Sequence, residues 1–464
     1  MIESTMAPPG PAAESLRGLL DGRVFLPGDP GYDAARTPWN VAVDQRPAAV
    51  AVPTSVDDVV AIVRSATAAG LRIVPQSSGH NAGPLSGRLA DAVLLRLSDF
   101  TGVSIDRDRQ VARIVGGTLW DQVVAAAAAS GLAAMHGSSP DVAAAGYCLG
   151  GGLSWYARSE GLACNHLVAA EVVLADGSLV RADAEHHPDL FWALRGGGGS
   201  FGVVTALEIR LLPVPDAYAG MLVWDAAQAT EVCRAWAGWT HGLAEEVTTS
   251  LRLLSVPPLP EVPEFIRGRQ LAVVDGAVLA GNDRAAELLA PLRALEPEID
   301  TFGRVPAAAL ARIHLDPEGP TPSVSDHLLL DDFDADAADA LVAAAGAESG
   351  TTLLSAEIRH LGGALGRPAS DGGALDQLPA GYAGFFVAVA ATPGLAAQGL
   401  VDAASAVTAL RPWSSGRRFA NFTEDAVDPG SLFGPATLAR LRAVRRQVDP
   451  SGVFVANHDL GSED

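Results

Sequence analysis

The stretch 187–214, HPDLFWALRGGGGSFGVVTALEIRLLPV, decides the fold. It contains Gly197-x-Gly199-x-x-Gly202, which on its own reads as a dinucleotide-binding turn. Such a turn must leave a strand and open a helix, so that the helix N-terminus faces the phosphates. Here the order is reversed. DLFWALR before the glycines has a helical pattern, and VVTALEIRL after them alternates like a strand. A Rossmann unit is therefore excluded.

Residues 47–214 as a whole alternate strand and helix signals. AAVAVP is a short apolar strand, and SVDDVVAIVRSATAAG is an amphipathic helix with Ser55 as N-cap, closed by Gly70. LRIVPQ, AVLLRL and VARIVGG follow as strands, and TLWDQVVAAAAASG as a helix. HLVAAEVVLADGSLVRA reads as a hairpin turning at Asp176-Gly177, which requires antiparallel sheet. Downstream, residues 215–410 carry longer strand candidates (TTSLRLLSV, QLAVVDGAVLA, TTLLSAEIRHL, AGFFVAVAA) between alanine-rich helices, and read as a second domain. The tail from Arg411 holds the helix PATLARLRAVRRQVDP, whose arginine-rich last turn suits the negative end of the helix dipole.

The 464 residues, 48% of them hydrophobic, suffice for two or three folded units. With 32 basic and 54 acidic residues the net charge is −22, which argues against nucleic-acid and membrane partners. The opening MIESTMAPPGPAAES lacks the basic and apolar regions of a secretory leader, and no apolar run is long enough to span a bilayer. Three cysteines without CxxC spacing suggest neither a disulfide framework nor zinc, so a cytoplasmic setting and no metal are expected.

Two loops carry the chemistry. Pro75-Gln76-Ser77-Ser78-Gly79-His80-Asn81-Ala82-Gly83 follows an apolar strand, and its small residues let backbone amides turn toward an anion. His80 within it is either a turn residue or a cofactor ligand. In Gly137-Ser138-Ser139-Pro140-Asp141-Val142, followed by Gly146-Tyr147-Cys148-Leu149-Gly150-Gly151-Gly152, three consecutive glycines permit close approach of a ligand or tight packing.

In the order SSGHNAG, SPDVAAAGYCLGGG, EVVLADGSLV, HPDLFWALRGGGGSFGVVTALEIRLLPV and DPSGVF, the chain resembles the berberine bridge enzyme-like branch of the vanillyl-alcohol oxidase flavoproteins, strongly over roughly 25–215 and 411–458. The resemblance implies an α+β architecture: a PCMH-type FAD-binding domain of two α+β subdomains (1–214), a substrate-binding domain (215–410) with a large antiparallel sheet covered by helices, and a C-terminal segment (411–464) completing the FAD domain. It implies FAD attached covalently through His80. Gln76, Ser77, Ser78, Gly79 and Asn81 would bind near the pyrophosphate. Gly137, Ser138, Ser139, Val142, Gly146, Gly150 and Gly151 would run past the ring and ribose. Asn165, Val168, Gly202 and Val204 would lie on the adenine side, and Asn421 and Asn457 would face the flavin from the tail.

The departures from the family pattern are as informative. Ser139 stands where many members carry a second tethering cysteine, before the family's Pro-Thr-Val, so His80 is expected to be the single tether. Gln76 takes the place of a common arginine. Val142 falls where the family controls oxygen access, and valine there resembles members that react with O2. Phe419-Ala420-Asn421-Phe422 replaces Tyr-x-Asn-Tyr, removing the tyrosine base, because phenylalanine has no exchangeable proton.

Glu357 in SAEIRHLGG is the remaining candidate base. Strand alternation puts it on one face with Ser355 and Arg359, and His360 on the other. It needs burial to raise its pKa; the other reading is a salt bridge to Arg359. Trp155 is a candidate for the substrate cavity or the core, and His136 for a polar group at the ring. The expected function is oxygenation, through an oxygenated flavin, of a polyketide-like small molecule with O2. The lone histidine tether and absent tyrosine base resemble the enterocin-pathway flavin oxygenase. The alternatives are an oxidase of an alcohol or sugar-like substrate releasing hydrogen peroxide, and a flavin-binding protein whose catalysis has lapsed.

Overall fold

The computed structural model describes residues 10–260 and 262–461. The reading of the opening segment falls in part on residues 1–9, outside the described residues. Among the described residues no helix is long and apolar enough to cross a membrane.

Among the described residues, the strands form three sheets. The first, in order β1-β2-β4-β3, comprises β1 (Val24–Phe25), β2 (Ala49–Ala51), β3 (Arg72–Gln76) and β4 (Ala92–Arg96), with β2, β4 and β3 parallel. The helix Val56–Ala68 crosses from β2 to β3. Ser55 caps it by accepting the Asp58 amide at 3.1 Å, a contact worth about 1 kcal/mol. The tail returns here: Ile73 donates to Val453 at 2.8 Å and accepts from Val455 at 2.9 Å, so residues 453–455 extend the first sheet.

The second sheet, β5-β6-β9-β7-β8, is antiparallel throughout: β5 (Val103–Asp106), β6 (Val111–Val115), β7 (Leu167–Val173), β8 (Leu179–Asp183) and β9 (Val203–Arg210). The Asp176-Gly177 turn joins β7 to β8, with Gly177 at φ +77° and the Ser178 amide on the Asp176 carboxylate. The helix Pro188–Leu194 precedes the glycine run and β9 follows it, the reversed order that rules out a Rossmann turn.

The third sheet has eight strands: β10 (Asp216–Asp225), β11 (Val247–Ser255), β12 (Gln270–Val278), β13 (Ile299–Asp300), β14 (Gly303–Pro306), β15 (Ser323–Leu330), β16 (Leu353–His360) and β17 (Tyr382–Val389). Period-two alternation divides its faces. Trp224, Leu251, Leu253, Val274, Ala356, Ile358 and Phe386 point back into a core covered by the helices Ala229–Thr240, Ala335–Ala345 and Pro393–Ala409, with Trp236 and Phe333 at its centre. Met221, Arg252, Leu254, Val273, Ser355, Glu357, Arg359, Phe385 and Val387 point forward and line a cavity against the other two sheets. The helix Pro435–Val448 buries Leu438, Leu441 and Val444 and carries Arg445 and Arg446 in its last turn.

Candidate functional site

The cavity measures about 1130 Å³. Its floor is the exit of β3 (76–81), the segments 137–150 and 197–204, and the tail at 420–424 and 455–458; its roof is the forward face of the third sheet.

The β3 exit turns sharply at Gly79, where φ is +81° and a Cβ would lie 2.8 Å from Pro38 and the Gln76 amide. Gln76 is buried and spends its amide on Gln45 in a reciprocal pair at 2.9 and 3.0 Å. Ser77 bonds the Gly117 carbonyl, and Asn81 donates to the Ala420 and Thr423 carbonyls of the tail. His80 stacks against Trp39 with centroids 4.1 Å apart. Its Nδ1 meets the Ser78 hydroxyl at 2.8 Å, and its Nε2 lies 3.3 Å from Asp141 Oδ1. Burial pushes the Asp141 carboxyl up, but His80, the Gly319 amide and Ser139 outweigh it and hold it well below the usual range.

Across the cavity, Asn421 clips the tail to the glycine triplet. Its Oδ1 accepts the Gly152 amide at 3.0 Å, its Nδ2 donates to the Tyr147 carbonyl at 3.3 Å, and a Cβ on Gly150 would collide with its amide. Gly146, Gly198 and Gly199 open straight onto the cavity, with nothing within 4 Å of where a Cβ would stand. Side chains there would occupy the space a flat ligand needs. The Asn81 Oδ1 and Tyr147 Oη atoms on the wall are buried without a hydrogen-bond partner. Long glycine-lined walls and unpaired polar atoms suit a dinucleotide of FAD's size. Val142, Gly137, Ser138, Ser139, Gly202, Val204 and Asn457 also line the wall.

The roof carries a charged cluster. Asp275, fully buried in β12, bonds Arg252 at 2.5 Å and His314 Nδ1 at 2.7 Å. His314 Nε2 lies 3.4 Å from Glu357, which pairs with Arg359 at 2.7 Å. Arg359 also reaches Ser138, whose hydroxyl bonds Asp316, and sits over the Phe422 ring. Burial and Arg252 push His314 down, but Asp275, Asp316 and Glu357 together raise it to about 9. Burial pushes Glu357 up, yet Arg359 and His314 hold it well below the usual carboxylate range. Of the two readings the sequence left open, the geometry has the salt bridge: Glu357 lies on the face with Arg359 and is paired with it, and, burial notwithstanding, its carboxyl is not raised. On the cavity wall, burial raises the Glu424 carboxyl of the tail to about 7.

Several expected residues lie off the wall. Trp155 packs behind the cluster, 5.7 Å from the His314 ring, and lines a small void of its own. His136 is turned inward onto the Gly137 carbonyl, and burial lowers it to about 4. Gly151 packs against Phe419 and Leu375. Asn165 bonds the backbone of Gly373 and Leu375 beside a separate void, and Val168 is a half-buried residue of β7. Cys148 and Cys164 are buried thiols, each raised by burial, and neither reaches the cavity.

Trp39, Asp141, Tyr147, Arg252, Asp275, His314 and Glu424 were not singled out from sequence. Only Asp141, standing at the threonine of Pro-Thr-Val, offered a signal.

Residues 47–183 match the family described as FAD binding domain. The chain is 35% identical over 216 residues to the glucooligosaccharide oxidase of Sarocladium strictum, covering 46% of this chain and 43% of that one. It is 37% identical over 207 residues to the (R)-6-hydroxynicotine oxidase of Paenarthrobacter nicotinovorans, covering 44% and 45%. The match thus spans less than half the length of each relative. The solved structure of wild-type Physcomitrella patens BBE-like 1 superposes with a TM-score of 0.81 at 20% identity, covering 95% of this chain and 97% of that one. Residues 47–183 thus match an FAD-binding domain, and the chain as a whole shares the PCMH-type α+β fold of that solved structure.

Proposed function

We propose that the chain is an FAD-dependent oxidoreductase that holds its flavin covalently through His80 and oxidises, with O2, a polyketide-like small molecule. Bound FAD supplies a two-electron acceptor that O2 can regenerate. The residues of 76–81, 137–150, 202–204, 421 and 457 that line the wall would hold it, while the domain 215–410 would hold the substrate.

The observation that carries the substrate class is the division of the roof. One end is apolar: Met221, Leu254 and Val273 face Val262 and Ile266 of the loop after β11, with the exposed Leu259 and Leu315 nearby. The middle presents His314 and Arg359, cations fixed by their partner carboxylates. Such a surface takes a molecule with an apolar segment and an oxygen that gains negative charge, such as the enolate of a carbon between two carbonyls. Glu424, raised to about 7, is the wall group suited to accept a proton near neutral pH.

Oxygen transfer to the substrate is the first reading, supported by the lone tether and by Phe422 where the family places a tyrosine; Val142 supports access of O2. A second reading, an oxidase releasing hydrogen peroxide, is favoured by Glu424 and by the two oxidase relatives. An alkyl-tailed 1,3-diketone, turned over under isotopically labelled dioxygen, separates them. Label in the organic product supports oxygenation, and unlabelled product with stoichiometric peroxide supports the oxidase. A flavin that neither this probe nor a panel of sugars and alcohols bleaches anaerobically overturns the enzyme reading.

A further inference from the structure

The carboxylate of Asp141 is fully partnered by groups from separate parts of the chain. Trp39 Nε1–H donates to Oδ2 at 2.6 Å, and the Gly319 amide donates to the same oxygen at 2.8 Å. Ser139 donates to Oδ1 at 2.8 Å, and His80 Nε2 faces that oxygen at 3.3 Å. Trp39 does double duty, since its ring also stacks on His80 at 18° to its plane. Its backbone is clamped on both sides: its amide donates to the Ser78 carbonyl at 2.9 Å, and its carbonyl accepts the Thr321 amide at 3.0 Å. The N-terminal segment, the glycine loop and the substrate domain therefore converge on one imidazole. The stack sets its plane; Nε2 faces the carboxylate at 3.3 Å with no other partner among the described residues, and Nδ1 rests on the Ser78 hydroxyl at 2.8 Å, a contact it must give up to form a bond. Three of the four groups around Asp141 keep their protons in any bonding state of the flavin. His80 is the one whose charge changes when a bond forms.

We propose that Asp141 is the positioning residue of the tether, holding the Nε2–H of His80 so that Nδ1 is presented as the bond-forming nitrogen. This rests on the reading of His80 as the covalent ligand. His80 Nδ1 forms a bond to the methyl carbon of the flavin's benzenoid ring as a C–H proton is lost, and Nε2 then releases its own proton. The electron pair of the broken C–H bond and both protons end on O2 as hydrogen peroxide. Between the two proton losses the imidazole is a cation, and the carboxylate beside it stabilises that charge. With Asn at 141 the site keeps its shape and its bonds from Trp39 and Gly319 but loses the negative charge.

The test is the time course of covalent incorporation when apoprotein is mixed with FAD in air, read as flavin fluorescence of the denatured band, alongside total FAD retained under native conditions. For Asp141→Asn the expected result is native FAD retention like wild type with covalent incorporation slowed more than tenfold, and Asp141→Glu recovering part of the rate. Trp39→Phe keeps the stack and removes one Asp141 donor. It is expected to slow incorporation several-fold, and it serves if Asp141→Asn does not fold. Wild-type incorporation in Asp141→Asn, or loss of native FAD binding in it, overturns the proposal. Wild-type protein that itself acquires no covalent flavin overturns instead the reading on which the proposal rests.

Discussion

Glu357 sits between Arg359 and His314, and removing its charge leaves the buried Arg359 guanidinium without its paired carboxylate, while His314 keeps Asp275. Glu357→Gln is therefore expected to destabilise the fold by about 3–5 kcal/mol, the cost of breaking a buried pair. A loss under 1 kcal/mol in urea titration would show the pair to be dispensable. His314 makes the cluster pH-sensitive. Its folded pKa, about 9, lies above the unfolded value near 6.5, so its contribution is complete below about pH 6.5 and is lost as pH rises through about 9. That contribution is on the order of 3 kcal/mol. Wild type should lose more stability between pH 6.5 and 9.5 than His314→Asn, and parallel profiles would contradict the assignment. The face shared by Ser355, Glu357 and Arg359 was legible from alternation alone. The pair with Arg359 was one of the two readings open there; the contact with His314 was not legible, because His314 comes from a loop more than forty residues away in sequence.

At the level of elements, the glycine segments and the tail are shaped around an open space. Gly199→Val places a side chain where nothing stands within 4 Å, so the apoprotein should keep its melting temperature while flavin is lost. A drop in apoprotein stability with flavin retained would show that the glycine serves packing. Asn421 bridges the tail to the glycine triplet through two hydrogen bonds. Asn421→Ala, made in a His80→Ala background so that binding is reversible, should weaken FAD about tenfold by equilibrium titration.

Elements with strong local signals were readable, such as the Ser55-capped helix and the Asp176-Gly177 hairpin. β10 and β15 were not, since Gly220 in one and Asp326 and His327 in the other break the strand pattern. Distant partners complete them: residues 301–302 lie against Gly220, Arg418 pairs with Asp326, and His327 bonds the Gly384 carbonyl of β17. The 453–455 addition to the first sheet was likewise invisible from spacing, being a pairing across nearly the whole chain.

At the scale of the molecule, one cavity joins a glycine-lined floor to a roof that is apolar at one end and charged in its middle. The ordered loop motifs made the floor legible in sequence, whereas the roof depends on strand register and on loops that no local pattern specifies. Ile266→Asp, at the apolar end, should raise KM for an alkyl-tailed substrate at least tenfold while leaving the flavin spectrum unchanged. An unaltered KM would remove the apolar end from substrate binding. The account stands or falls on FAD held at this floor through His80. The decisive measurement is the visible flavin absorbance of acid-precipitated pellet and supernatant, for wild type and His80→Ala. The account predicts flavin in the wild-type pellet and in the variant's supernatant; wild-type protein that releases all its flavin, or a His80→Ala variant that keeps it in the pellet, would contradict it.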